Sequence, residues 1–160
     1  MPIKFPFDST KPVTGQASID IGRHLPDVFA IIGENFFENY PKWAVEVTNF
    51  IPLDGKKAYV GARAKQIRKD NDTSVESTFA ITDYQPYNKL IFQGLDEPFR
   101  HIYLLDGNED SLPTRLTFRF EILELEVFMR PFEKLIRYAI EEGAENTVKN
   151  IKNLITEELS

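Results

Sequence analysis

From Val13 to Ile21, and again in the segments from Val45 to about Leu125, apolar side chains tend to recur at every second position, and after Phe128 they recur every three or four. A period of two belongs to half-buried strands, and a period near 3.6 belongs to an amphipathic helix. One change of period so late in the chain leaves few architectures. A run of strands must share a core with a single long helix.

The strand pattern opens at Val13, where Val13, Ala17, Ile19 and Ile21 share one parity and Thr14, Gln16, Ser18 and Asp20 the other; Gly22 ends it. Two short helices are expected next. Pro26 suits a first helical turn, where its missing N–H costs nothing, and Val28, Phe29, Ile31 and Ile32 supply an apolar face that Gly33 should break. Phe36, Phe37 and Tyr40 form the second, expected to stop at Pro41, with Trp43 just beyond.

Six further strands are predicted near Val45–Leu53, Ala58–Lys69, Thr73–Tyr84, Lys89–Leu95, Arg100–Leu105 and Thr114–Leu125. Turn residues separate most of them: Asp54-Gly55, Asp70-Asn71-Asp72, Pro86 to Asn88, and Asp106-Gly107-Asn108. Strands joined by short turns pair antiparallel. In the last, Leu116, Phe118, Phe120 and Ile122 face one way and Arg115, Thr117, Arg119 and Glu121 the other.

The terminal helix carries two stripes. Phe128, Phe132, Leu135, Ile136 and Ala139 line one; Ile140, Ala144, Val148, Ile151 and Ile155 line a second, rotated by roughly 110° from it. Gly143 sits near the changeover, where it could permit a bend. A helix of this length has an apolar face more than about 40 Å long to cover. The concave side of a strongly twisted sheet is the simplest cover. The expected class is therefore α+β, with about seven antiparallel strands curved around the helix.

Composition narrows function. The chain has 160 residues, the size of one domain, with 42% apolar and 28% charged residues. Residues 1–12, with three prolines and little periodicity, read as an N-terminal arm, and 13–160 as a single domain. Its 13 Phe and 6 Tyr fit either a dense core or an aromatic-lined cavity, since each such side chain buries a large area. The formal charge of −6 lacks the basic stripe that nucleic-acid binding needs, so no nucleic-acid partner is expected. The absence of cysteine excludes disulfides and thiolate chemistry. No signal-peptide pattern and no run of ~18 apolar residues is seen, so stable membrane insertion is not expected and a cytoplasmic address is. GxSxG, P-loop and dinucleotide fingerprints are missing, as is any metal-ligand spacing around His24 and His101, so no cofactor or metal is expected. Oligomeric state is left open.

Several stretches in order resemble the START, polyketide-cyclase and pollen-allergen-like superfamily (SRPBCC). They are Ala17-Ser18-Ile19-Asp20-Ile21, Leu25-Pro26-Asp27-Val28-Phe29, Trp43, Val60-Gly61-Ala62-Arg63, Ile81-Thr82-Asp83-Tyr84-Gln85-Pro86 with Lys89-Leu90-Ile91-Phe92, Asp106-Gly107, Thr114-Arg115-Leu116-Thr117 and the final helix. No single motif is specific; their order and spacing carry the likeness, over about Val13 to Leu159, and it is closest to the polyketide cyclase/dehydrase-like branch. The resemblance implies a helix-grip fold with a hydrophobic cavity between sheet and C-terminal helix. It implies no single activity, because members carry lipids, bind hormones or quinones, or cyclise polyketides.

Parity together with family position makes Trp43, Val60, Ala62, Ala64, Phe79, Ile81, Phe92, His101, Tyr103, Phe118, Phe120, Phe132, Ile136 and Ile140 the candidate cavity residues. The same set would describe a solid core, and Trp43 reads first as a structural plug between the second helix and the sheet. His101 lies in a strand apolar on both faces. Pointing inward, it could bond a ligand or move a proton; otherwise a neighbour or solvent satisfies it. His24 reads as a surface or capping residue. Arg63, Lys65, Arg115 and Arg119 should face solvent, although one could turn inward to anchor a carboxylate or phosphate. The expected function is binding of a small hydrophobic molecule (lipid, quinone or polyketide-like). The alternatives are a cyclase- or dehydratase-type enzyme, or a cochaperone-like interaction module that would show a contiguous exposed apolar patch.

Overall fold

The computed structural model describes residues 11–70 and 72–159. Most of the expected arm, residues 1–10, lies outside them. The elements are β1 (Val13–Ile21), α1 (Leu25–Phe29), a π turn (Ala30–Glu34), α2 (Phe36–Trp43), β2 (Val47–Pro52), β3 (Arg63–Asp70), β4 (Thr73–Gln85), β5 (Lys89–Gly94), β6 (Phe99–Asp106), β7 (Thr114–Ile122), a 3-10 turn (Val127–Phe132) and α3 (Glu133–Glu158). The seven strands form one antiparallel sheet in the order β1-β7-β6-β5-β4-β3-β2, a meander with β1 added beside β7. This is the helix-grip arrangement the periodicity predicts.

Two local expectations are corrected. Gly33 does not break the first helix; it is buried inside the π turn, and a Cβ there would come within 2.3 Å of the Phe29 ring. Pro41 does not stop the second helix, which runs on to Trp43. A proline removes one helical hydrogen bond, and here the lost bond lies near the helix end. Trp43 is fully buried against Phe36 and Tyr40, and the Ala44 amide closes the turn on the Tyr40 carbonyl at 2.9 Å.

The aromatic inventory splits the concave face. Phe36 of α2 sits among Phe37, Tyr40, Trp43, Phe79, Phe92 and Tyr103, with ring centroids 5.2 to 6.3 Å away. Phe79 and Phe92, on neighbouring strands, stack at 4.0 Å. This half is a dense core.

The other half is roofed by α3. Ala144, Val148, Ile151 and Ile155 are all buried, so the second sequence stripe meets the sheet as expected. Gly15 makes the approach possible: a Cβ on it would lie 2.7 Å from the Glu141 backbone nitrogen. The first stripe behaves otherwise. Phe128, Phe132 and Leu135 are exposed at 68%, 53% and 69%, and Tyr138 beside them at 67%. Periodicity marks a face as apolar; it does not say that the sheet reaches far enough to cover it.

Candidate functional site

A cavity of about 290 Å³ lies between the inner faces of β6 and β7 and the middle of α3, with Trp43 at one side. That is the low end of the roughly 300–1,000 Å³ usual for small-molecule sites. Its wall begins with pairing. His101 of β6 stands opposite Phe92 on one side and Phe120 on the other, and Tyr103 stands opposite Phe118. Residues directly opposite on antiparallel strands project to the same face, so this register turns His101 inward.

The surroundings of His101 are almost wholly aromatic. Its ring centroid is 4.3 Å from Phe92, 4.9 Å from Phe120, 5.4 Å from Phe118 and 5.5 Å from Phe99. The residue is 7% exposed, and among the described residues neither ring nitrogen has a hydrogen-bond partner. Burial, and secondarily the positive charge of Arg68, holds its pKa well below the usual 6.5. The imidazole is therefore neutral near pH 7, offering one N–H and one acceptor nitrogen.

The opposite wall comes from α3, where Ala139, Ile140, Gly143, Asn146, Thr147 and Asn150 face the cavity. Apart from Ile140, these residues are small or polar and run beside the buried apolar stripe. The Asn150 amide donates to the Trp43 backbone carbonyl at 3.2 Å, tying helix to plug. The Trp43 indole N–H reaches the Tyr103 hydroxyl at 3.3 Å. Burial raises the Tyr103 pKa well above 10, so that hydroxyl keeps its proton. Glu46 and Arg68 add the charged groups of the lining.

Five of the candidate residues line this cavity: Trp43, His101, Phe118, Phe120 and Ile140. Six others, Ala62, Ala64, Phe79, Ile81, Phe92 and Tyr103, are buried in the adjoining core. Ile136 is half-buried. Val60 and Phe132 are corrected in orientation. Val60 is 58% exposed because β3 starts only at Arg63; Gly61, at φ +97°, turns the chain just before it, ending the alternation. Phe132, at 53%, belongs to the uncovered helix stripe. His24 is exposed at the start of α1, and its side chain makes no capping bond.

The four cations expected on the outer face all have partners there. Arg63 bonds Asp54 at 3.0 Å, Lys65 pairs with Glu76 at 2.7 Å, Arg115 with Asp20 at 3.0 Å, and Arg119 bonds Gln16 at 3.0 Å. Arg68 was not among the candidates. Parity could have found it, since it follows Ala62, Ala64 and Gln66 along the inward side of β3. Among the described residues no cluster of three or more His, Asp or Glu could hold a metal ion, and no helix is long and apolar enough to cross a membrane.

No family model and no curated protein matches the chain. Solved structures do. The chain is similar to TTHA0849 from Thermus thermophilus, with 14% identity, TM-score 0.73, and 92% of this chain and 99% of that one covered. It is similar to the di-domain ARO/CYC StfQ from the steffimycin biosynthetic pathway, with 10% identity, TM-score 0.71, and 92% and 52% covered. The Polyketide_cyc-like protein Cgl2372 from Corynebacterium glutamicum shows 19% identity, TM-score 0.61, and 94% and 95% covered. At these identities the likeness is one of fold, and it is the fold of the superfamily the sequence resembles.

Proposed function

We propose that residues 13–160 act as one helix-grip domain that binds a small, predominantly apolar molecule in the cavity between β6, β7 and α3. The single observation behind this is His101. A buried polar group without a partner costs about 1–3 kcal/mol, and aromatic side chains of the same shape would fill the position at no such cost. His101 instead stands with both nitrogens unpartnered on the wall of a 290 Å³ cavity also lined by Phe118, Phe120 and Ile140. A ligand reaching that wall gives the imidazole a partner and covers the apolar lining.

Native mass spectrometry of the protein as purified, paired with a thermal-shift titration using 2-naphthol, tests this. The expected result is a defined added mass lost on denaturation, or a dose-dependent rise in Tm with the probe. A bare chain mass together with an unmoved Tm would overturn it.

The same histidine favours a second reading, an enzyme of cyclase or dehydratase type. A neutral imidazole inside an apolar site can accept a proton from a bound substrate. Under that reading His101→Phe retains substrate and loses turnover; under the binding reading there is no turnover to lose.

A further inference from the structure

A second residue lining the same cavity carries an orphaned polar atom. It is Arg68, whose Nε is buried without a partner. Among the described residues Arg68 takes part in no ion pair, whereas Arg63, Lys65 and Arg115 are each paired with an acid outside the concave face. Glu46 also lines the cavity and forms no ion pair with it. One unpaired guanidinium can hold one monoanion; the carboxylate of Glu46, in the same lining, opposes any anion and a phosphate dianion more strongly than a carboxylate. A guanidinium matches the two oxygens of a carboxylate.

His101 asks for something different. Four aromatic rings pack around it, so a charged group against the imidazole would be desolvated beside a neutral ring, which is costly. A hydroxyl fits: it can donate to the acceptor nitrogen or accept from the N–H. We infer that the ligand is a compact hydroxylated organic carboxylate, its carboxylate held by Arg68, its hydroxyl by His101, and its apolar body between Phe118, Phe120 and Ile140. This rests on the proposed binding function and names the ligand's chemical class. The volume of about 290 Å³ favours a body of one or two rings, or a short branched chain, over a long acyl tail.

Calorimetric titration with four matched probes tests it: 6-hydroxy-2-naphthoate, its carboxamide, 2-naphthoate and 2-naphthol. Each is titrated into wild type, Arg68→Gln and His101→Phe, with circular dichroism confirming that the variants are folded. The hydroxy acid is expected to bind wild type about tenfold or more tightly than its amide, the usual worth of a charge-assisted hydrogen bond. Arg68→Gln should erase that gap and leave 2-naphthol unchanged. His101→Phe should erase the preference of the hydroxy acid over 2-naphthoate and keep the preference over the amide. If 2-naphthol binds while acid and amide bind wild type equally, or Arg68→Gln weakens both equally, the carboxylate assignment is overturned and apolar binding stands. If the hydroxyl confers no preference in wild type, water rather than ligand satisfies His101 and the hydroxyl assignment falls. If none of the four binds, the proposed function falls and this inference with it.

Discussion

Two sets of polar side chains with buried polar atoms lie on one concave face, and they are served in opposite ways. Under α2, the Tyr40 hydroxyl donates to the Gln66 side-chain carbonyl at 2.8 Å, and the Gln66 amide donates to Ser77 at 3.3 Å. All three residues are buried and every link is closed within the protein. Under α3, His101 and Arg68 point into a cavity with orphaned nitrogens. Gln66 and Arg68 are two residues apart on the same side of one strand, so secondary structure does not explain the difference. The plug of α2 aromatics fills the space above the first set, whereas among the described residues a cavity lies between the second set and α3. A satisfied buried network specifies structure; a buried group left unserved beside a cavity is a candidate for meeting something from outside.

The largest effect expected from this contrast is at Gln66. Gln66→Leu strands both the Tyr40 hydroxyl and Ser77, and should lower unfolding free energy by about 3 kcal/mol, at roughly 1–3 kcal/mol for each stranded group. Urea denaturation would show it; a loss below about 0.5 kcal/mol would mean that the network is not a structural element.

The same kind of substitution at His101 should have the opposite sign. His101→Phe removes two unserved nitrogens and keeps a ring among Phe92, Phe118 and Phe120, so the ligand-free protein should gain about 1 kcal/mol. A comparable loss would mean that the imidazole is bonded in solution. Acid should expose the same difference. The unfolded histidine takes up a proton near pH 6.5, while burial holds the folded pKa well below that value. Between these two values the unfolded state binds more protons. Stability is therefore complete above about pH 6.5 and falls as pH drops below it, by at most ~1.4 kcal/mol per pH unit for one proton. Melting curves of wild type and His101→Phe should diverge below that pH, and parallel curves would contradict the buried neutral ring.

The smallest effect separates inner from outer cations. Arg115→Gln breaks an exposed pair with Asp20. It should change stability by less than about 1 kcal/mol and leave probe binding untouched, unlike Arg68→Gln. Equal effects of the two on binding would dissolve the distinction.

Much of the fold was readable in the chain, and little of this contrast was. Alternation with turn residues gave the order of the strands, and the late change of period gave the single helix that roofs them. Val60 escaped because Gly61 shifts the chain out of the strand before the alternation resumes. Phe132 and Leu135 escaped because an amphipathic stripe records what a helix can bury, and coverage depends on where the sheet ends. His101 was ambiguous because Ile102 and Leu104 make the other face of β6 apolar too; only its pairing with Phe92 and Phe120 resolves its direction. Arg68 was legible by parity alone, hidden within a cluster of charges that otherwise faces water.

The central claim, that His101 is a neutral, ligand-facing group in a dry wall, is tested most directly by the ring ¹⁵N resonances of that residue. They would be followed by NMR from neutral pH to about pH 5, the range in which an ordinary histidine changes charge, with and without saturating 2-naphthol. Distinct signals for a protonated and an unprotonated nitrogen throughout the range, with one displaced by the probe, are the predicted result. A ring that titrates near 6.5 and ignores the probe would place His101 in contact with bulk water and contradict the account.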